Sequence, residues 1–207
     1  MNFLNKIYVW ILNNYIKLIT FFLIIASLYG IYLYFYFAEQ KKDQTAGDLF
    51  LNFYNSYSSS EFSEQEYNLA LDEISKIDDS SIYLAMLKSI YAAQSVENSD
   101  LQTALTELSN AKEILINKGD DFNFLREIID IRMVNIFIHL EDLERAKNIL
   151  KNTFKTYQIN KLILQGDILA IEKKSDEAKQ KYLKALQRSE NDTQKNFINL
   201  KISNLTK

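Results

Sequence analysis

Four segments of the chain repeat one helical pattern, and this repeat restricts the fold more than any other sequence feature. Each segment has alanine at its sixth residue, a bulky residue four positions later and, in most copies, a small residue three positions after that. Residues at these offsets lie on one face of a helix, where a small side chain lets a neighbouring helix approach and a bulky one fills the space beside it. The segments are 65–77, 99–111, 141–153 and 173–185, with alanines Ala70, Ala104, Ala146 and Ala178.

The spacing of these alanines predicts a solenoid of paired helices. They lie 34, 42 and 32 residues apart, near the period of roughly 34 residues that is typical of tetratricopeptide repeats. An apolar-periodic stretch precedes each segment, and a generic helical bundle does not explain four ungapped matches. The predicted first helices are 44–59, 80–96, 122–139 and 158–171, and a C-terminal cap helix is predicted at 193–205.

Proline is absent and glycine occurs four times, so the turn residues of an all-β fold are missing and an all-α fold is predicted. Gly166 lies inside a predicted helix, where it costs about 1 kcal/mol relative to alanine. It precedes Ala178 by twelve residues, where the repeat places a small residue that faces the second helix. We therefore expect Gly166 to pack against that helix together with Tyr182 and Ala185. Ala92, Val134 and Ser58 occupy the same position in the other pairs.

The chain contains one uncharged stretch that is long enough to cross a membrane. Residues 18–37 contain no charged residue, and a helix of that length spans roughly 30 Å. They predict a single N-terminal transmembrane helix in a lipid bilayer, after a short N-terminus (1–17) and before a juxtamembrane linker (38–43) and a repeat domain (44–207). A cleaved signal peptide is the alternative, but its apolar region is usually about 7–15 residues long and ends at a small-residue cleavage site.

The charges that flank this stretch give a weak indication of its orientation. Lys6 and Lys17 precede it and Lys41 and Lys42 follow it, so the lysines are balanced. The amino terminus adds one positive charge on the short side, which favours a cytoplasmic N-terminus and a repeat domain on the opposite face of the membrane.

Charge is distributed unevenly along the chain. Residues 1–43 carry a net charge of +2, residues 44–145 carry −12 and residues 146–207 carry +7. The basic C-terminal part is interleaved with acidic residues, which favours a solvated face, or contact with anionic lipid or an acidic protein, over nucleic acid. We expect no nucleic-acid partner.

No pattern in the sequence indicates catalysis. Cysteine is absent, the single histidine is His139, and the four glycines are isolated. A thiol nucleophile, a cysteine-ligated metal, a histidine-rich metal site and a glycine-rich phosphate loop are therefore excluded. The prediction is a protein that is not an enzyme, without cofactor, metal or small-molecule substrate.

Together, the anchor and the repeats resemble the YfgM family, the ancillary subunit of the bacterial SecYEG translocon. The most specific likeness is "GDILAIEKKSDEAKQKYLKAL" followed by "FINLKISNL", which is similar to the final repeat and terminal motif of that family. The resemblance implies a single-pass inner-membrane protein with a cytoplasmic N-terminus and a periplasmic repeat domain. It also implies association with SecYEG and with a PpiD-like periplasmic chaperone. A membrane-tethered adaptor for division, outer-membrane assembly or stress regulation is the alternative.

The groove positions of tetratricopeptide repeats can be carried over by counting back from each alanine of the pattern. The result is a mostly apolar candidate surface for a partner segment, although some of its isoleucines are equally well explained as core. The candidate groove residues are Met86, Ser89 and Ala93; Ile128, Ile131 and Asn135; and Asn160, Ile163 and Asp167.

Overall fold

The computed structural model describes residues 3–59, 62–79 and 81–205, with the backbone alone for residues 3–9, 11–13 and 18. Residues 1–2, 60–61, 80 and 206–207, which belong to the predicted N-terminus and repeat domain, lie outside that description. The described residues form helices without strands, so the predicted all-α fold is confirmed. The helices are α1 (Phe3–Ser59), α2 (Glu64–Ile77), α3 (Ile82–Glu97), α4 (Leu101–Asn117), α5 (Asn123–His139), α6 (Leu143–Ile149), α7 (Gln158–Ile171), α8 (Ser175–Arg188) and α9 (Asp192–Asn204), with a 3₁₀ turn at Asp120–Phe122.

The longest helix, α1, contains both the apolar stretch and the first part of the repeat domain. The apolar side chains between 19 and 37 are largely exposed, and this half of α1 is long and apolar enough to cross a membrane. The predicted linker 38–43 is helical, because no proline interrupts the chain there. Further along the same helix, Ala46, Phe50 and Phe53 are buried against α2 and α3. One helix therefore connects the candidate anchor to the core of the repeats.

The remaining helices pack as successive antiparallel pairs: α3 with α4, α5 with α6, and α7 with α8. Three apolar clusters follow one another along the chain. The first joins α1, α2 and α3, the second extends from α3 to α7, and the third joins α7, α8 and α9. The C-terminal helix α9 covers the end of the last pair, where the cap helix was predicted.

Three of the pairs share the same turn. Ser99, Glu141 and Lys173 each have a positive φ, of 62°, 59° and 62°. The amide that follows each of them returns to a carbonyl five residues back, at 2.8 Å, 2.8 Å and 2.9 Å, which is the bond that closes a Schellman turn. This identical geometry, at the spacing of the alanine pattern, shows that the pairs are copies of one structural unit.

Two of these turns end in an aspartate that caps the next helix. Asp100 accepts from the amide of Thr103 and Asp142 accepts from the amide of Arg145, both at 3.1 Å. Hydrogen bonds hold the pKa of each carboxyl below its usual value, first from the side chain and then the amide of Thr103 for Asp100, and first from the amide and then the side chain of Arg145 for Asp142. The third turn has Lys174 at the corresponding position and no side-chain cap, because the lysine side chain has no hydrogen-bond acceptor.

The seven residues expected to pack the repeats all lie in the interior. They are Ala70, Ala104, Ala146, Gly166, Ala178, Tyr182 and Ala185. Ala92 and Val134 are buried as well, but the prediction for Ser58 was wrong. Ser58 is exposed, because α1 ends one residue later and the connection to α2 is longer than the other turns, which changes the register of the first pair.

The glycine inside α7 is required by an aromatic ring. A Cβ atom at Gly166 would lie 2.4 Å from Cε1 of Tyr182, well inside van der Waals contact. The ring is held in place because the Tyr182 hydroxyl donates to Oδ1 of Asp167 at 2.6 Å, and Lys201 of α9 donates to the same oxygen at 2.7 Å. Burial, together with the bond to Asp167, raises the pKa of Tyr182. The α7–α8 pair therefore depends on the absence of a side chain at residue 166.

A buried glutamate binds the connection that follows the short second helix of the third pair. The predicted helix 141–153 ends at Ile149, and the chain then turns to reach α7. Glu127 of α5, only 5% exposed, accepts from the amides of Lys155, Thr156 and Tyr157 at 2.6 Å, 2.9 Å and 2.8 Å. This carboxylate fastens the α6–α7 connection onto α5.

Replacing the helix glycine with alanine tests the packing of the last pair. We expect Gly166→Ala to destabilise the full-length protein by roughly 1–3 kcal/mol, because the new methyl group overlaps the fixed ring of Tyr182. The intrinsic helix preference of alanine acts in the opposite direction by about 1 kcal/mol. Urea unfolding in mild detergent, followed by circular dichroism, measures the change. In a Tyr182→Leu background the same substitution should be neutral or stabilising, and an equal loss in both backgrounds would contradict this account.

Candidate partner-binding groove

An open depression lies between the first helices of the first three pairs. Helix α1 packs against α3, and helix α5 packs against α7. Helices α3 and α5 approach each other less closely. The gap between them encloses about 220 Å³. We call this depression the groove; it is lined by Phe50 and Tyr54 of α1, Ala85, Met86, Ser89 and Ile90 of α3, Leu115 of α4, and Leu125, Ile128, Ile129 and Arg132 of α5.

The floor of the groove is fixed and its walls are accessible. Ala85, Leu115 and Ile129 are almost fully buried and belong to the central cluster. Met86 of α3 and Ile128 of α5 form opposite walls of the groove, and each is partly exposed. Apolar walls over a rigid floor suit the docking of apolar side chains from another protein segment.

The rim of the groove on the α1 side is aromatic. Tyr54 is 46% exposed, and its ring stacks on that of Phe50 with centroids 6.1 Å apart. Phe50 also contacts the ring of Tyr83 in α3 at 5.9 Å. The helix that carries the candidate anchor therefore supplies one wall of the groove directly.

One end of the groove is polar. Arg132 is exposed on α5, and its Nη1 donates to the backbone carbonyl of Ser89 in α3 at 3.1 Å. This bond spans the gap between the two helices. It also places a guanidinium group beside the apolar walls.

The groove contains three of the nine residues carried over from the tetratricopeptide pattern: Met86, Ser89 and Ile128. Ala93 is exposed outside it, and Asn135 lines a second depression together with His139. Ile131 packs against the central core, so the core alternative holds for this isoleucine.

The three candidates in the last pair do not form an open surface. Ile163 is 7% exposed and packs with Ala178, Tyr182 and Ile198, because α9 covers this pair. Asp167 is engaged by Tyr182 and Lys201, and Asn160 is half-buried. Their assignment to a groove was wrong for Ile163, which is core, and Asp167 has a structural role.

Sequence reasoning missed several residues that line the groove, among them Phe50, Tyr54, Ile90, Leu125 and Arg132. The first two lie on α1, and the groove positions were carried over only to the first helices of the later pairs. On α5, Leu125, Ile128 and Arg132 follow one another at helical spacing, and this periodicity was a signal that the alanine count alone did not use.

The fold and the groove define a helical-repeat interaction protein. The chain belongs to the tetratricopeptide repeat-like domain family, whose pattern matches residues 9–207 and thus includes the apolar half of α1. Domains of this family are typically non-catalytic scaffolds for protein–protein interaction. No curated protein and no solved structure matches the chain. Among the described residues, no group of acidic, histidine or cysteine side chains is arranged to hold a metal ion.

Two isoleucines three residues apart on α5 provide a matched test of the groove. We expect Ile128→Asp to reduce the recovery of co-purified membrane proteins by about tenfold, because it places a charge on the apolar wall, with little loss of stability. Ile131→Asp should instead destabilise the protein by roughly 2 kcal/mol or more, because its side chain packs against the core. Thermal unfolding and quantitative mass spectrometry of detergent pull-downs measure the two effects. Unfolding of both variants would show that Ile128 is also core.

Proposed function

We propose that this protein is a membrane-anchored, non-enzymatic scaffold that holds a partner-binding groove close to the membrane surface. The observation that carries the proposal is the continuity of α1. The same helix contains an exposed apolar stretch of transmembrane length and the residues Phe50 and Tyr54, which form one wall of the groove.

The geometry of α1 sets the height of the groove. Phe37 closes the uncharged stretch and Phe50 lines the groove, and both lie in the same helix. At 1.5 Å per residue, the groove begins about 20 Å along the helix from the membrane boundary. At that distance from the membrane, the groove is within reach of the membrane-proximal segments of other membrane proteins and of chains that emerge from a translocation channel.

The partners that we propose are the SecYEG translocon and a PpiD-like periplasmic chaperone. Support comes from the resemblance of the anchor and the last repeat to the YfgM family, and from membership in a family of interaction scaffolds. In this proposal the protein is a single-pass inner-membrane protein, with residues 1–17 in the cytoplasm and residues 44–207 in the periplasm. A tethered adaptor for division, outer-membrane assembly or stress regulation would use the same groove with different partners.

The absence of cysteine allows a direct test of the orientation. We expect Lys179→Cys, on the exposed face of α8, to react with a membrane-impermeant maleimide in spheroplasts, and Lys6→Cys to react only after lysis. The reason is the extra positive charge of the amino terminus on the short side of the anchor. Gel-shift quantification of each single-cysteine variant measures the labelling. Labelling of the Lys6→Cys variant in intact spheroplasts would contradict the proposed topology.

Site-specific crosslinking tests the partners. A photo-crosslinking residue in place of Ile128 lies in the groove, and the same residue in place of Lys179 is the matched control on the outer face of α8. We expect the groove position to form adducts with a translocon subunit or a PpiD-like chaperone, identified by mass spectrometry after irradiation of living cells. Adducts with division or outer-membrane assembly proteins would support the adaptor alternative. Identical adducts from both positions would contradict the groove as the binding surface.

A further inference from the structure

Among the residues that the structure describes, one basic side chain in the acidic half of the chain has no carboxylate within 4.0 Å. Residues 44–145 contain seven basic side chains among nineteen acidic ones. Six of the seven lie within 4.0 Å of a carboxylate: Lys76 with Asp72, Lys88 with Glu107, Lys112 with Asp130, Lys118 with Asp78, Arg126 with Asp120 and Arg145 with Asp142. The seventh is Arg132, for which the described part of the chain supplies no carboxylate within that distance.

This arginine is also the only charged residue among those that line the groove. Its hydrogen bond to the Ser89 carbonyl uses one N–H, and a guanidinium group carries five. The bond holds the group at the end of the groove with donors still directed to solvent. A guanidinium in this position matches a carboxylate, with which it forms paired, charge-assisted hydrogen bonds.

The groove therefore has an apolar end and a cationic end. Leu125, Ile128 and Arg132 follow one another along one face of α5 over about 10 Å, which is two helical turns. The enclosed volume of about 220 Å³ is below the roughly 300–1,000 Å³ of typical small-molecule sites. It suits one or two anchoring side chains of a protein segment better than a metabolite.

We infer that the groove recognises a protein segment in which an aspartate or glutamate side chain lies about one helical turn from apolar anchors, the spacing of Ile128 and Arg132 on α5. The anchors occupy the space between Met86 and Ile128, and the carboxylate pairs with Arg132. This inference rests on the proposed function, since it specifies the chemistry of the partner. The net charge of −12 on residues 44–145 repels an acidic segment elsewhere on this half of the domain, so Arg132 fixes both the position and the direction of binding.

Selection from a peptide library tests the inference without knowledge of the natural partner. The probe is a random sixteen-residue library displayed through its C-terminus, so that it offers side-chain carboxylates and no terminal one. The target is the full-length protein in nanodiscs of zwitterionic lipid. Wild type, Arg132→Glu and the charge-matched control Lys179→Glu are selected in parallel, after circular dichroism has shown equal helicity.

We expect wild type and Lys179→Glu to enrich peptides that carry leucine, isoleucine or phenylalanine and, about one helical turn away, aspartate or glutamate. Arg132→Glu should enrich lysine or arginine at that position. For one selected peptide, Glu→Gln should weaken binding about tenfold to wild type and less than about twofold to Arg132→Gln, as a double-mutant cycle requires for a direct pair.

Two other outcomes overturn the inference and differ in their consequence for the proposed function. In the first outcome, wild type and Arg132→Glu enrich the same apolar peptides without a charge preference, and Ile128→Asp abolishes their binding. The groove would then bind partners, but Arg132 would not bind a carboxylate. If no peptides are enriched on wild type, or if Ile128→Asp leaves binding unchanged, the groove is not a docking site and the proposed function loses its binding surface as well.

Discussion

The close approach of two helices at a small residue is the interaction on which the rest of this structure depends. Ala104, Ala146 and Ala178 are completely buried. Each lies in the second helix of a pair, shortly after the Schellman turn that joins the two helices. Because backbone and side-chain positions repeat from pair to pair, the first helices are arranged side by side and can form a common surface. The groove lies where the side-by-side packing of the first helices is interrupted. Helices α3 and α5 remain apart there, whereas α1 packs against α3 and α5 packs against α7.

The second determinant is the continuity of α1. An anchor on a flexible linker would leave the repeat domain free to sample many heights and orientations, whereas one helix couples the apolar stretch to the groove wall. Burial of Phe50 and Phe53 fixes the C-terminal part of this helix in the first cluster, so the direction of the apolar stretch is set by the packing of the repeats. The proposed function uses this continuity to place the groove near partners that are themselves close to the membrane.

Sequence periodicity predicted the elements of the fold because the pattern of small and bulky residues is local. It located α2, α4 and α8 and identified Gly166 as a packing residue, although the ring of Tyr182 as the cause required the structure. The early end of α6 was not predicted, and the connection that follows it is bound by Glu127, which lies on another helix and accepts from amides 28–30 residues away. A contact of that kind leaves no periodic signal.

The groove was only partly predictable for the same reason. Met86 and Ile128 followed from the repeat register, whereas Phe50 and Tyr54 required the position at which α1 meets the repeats. The sequence alone also does not reveal that no described carboxylate pairs with Arg132, since Lys112 and Lys118 pair with carboxylates 18 and 40 residues away. Which cation remains available is a property of the folded surface.

Hydrogen–deuterium exchange of the full-length protein in nanodiscs, resolved over residues 38–59, distinguishes one rigid helix between the apolar stretch and the groove from a flexible linker. A continuous helix predicts slow exchange at 38–43, comparable to that at 46–56, because the helical hydrogen bonds continue through this segment. Exchange at 38–43 at the rate of an unstructured peptide would show a flexible linker, and would contradict a groove held at a fixed distance from the membrane.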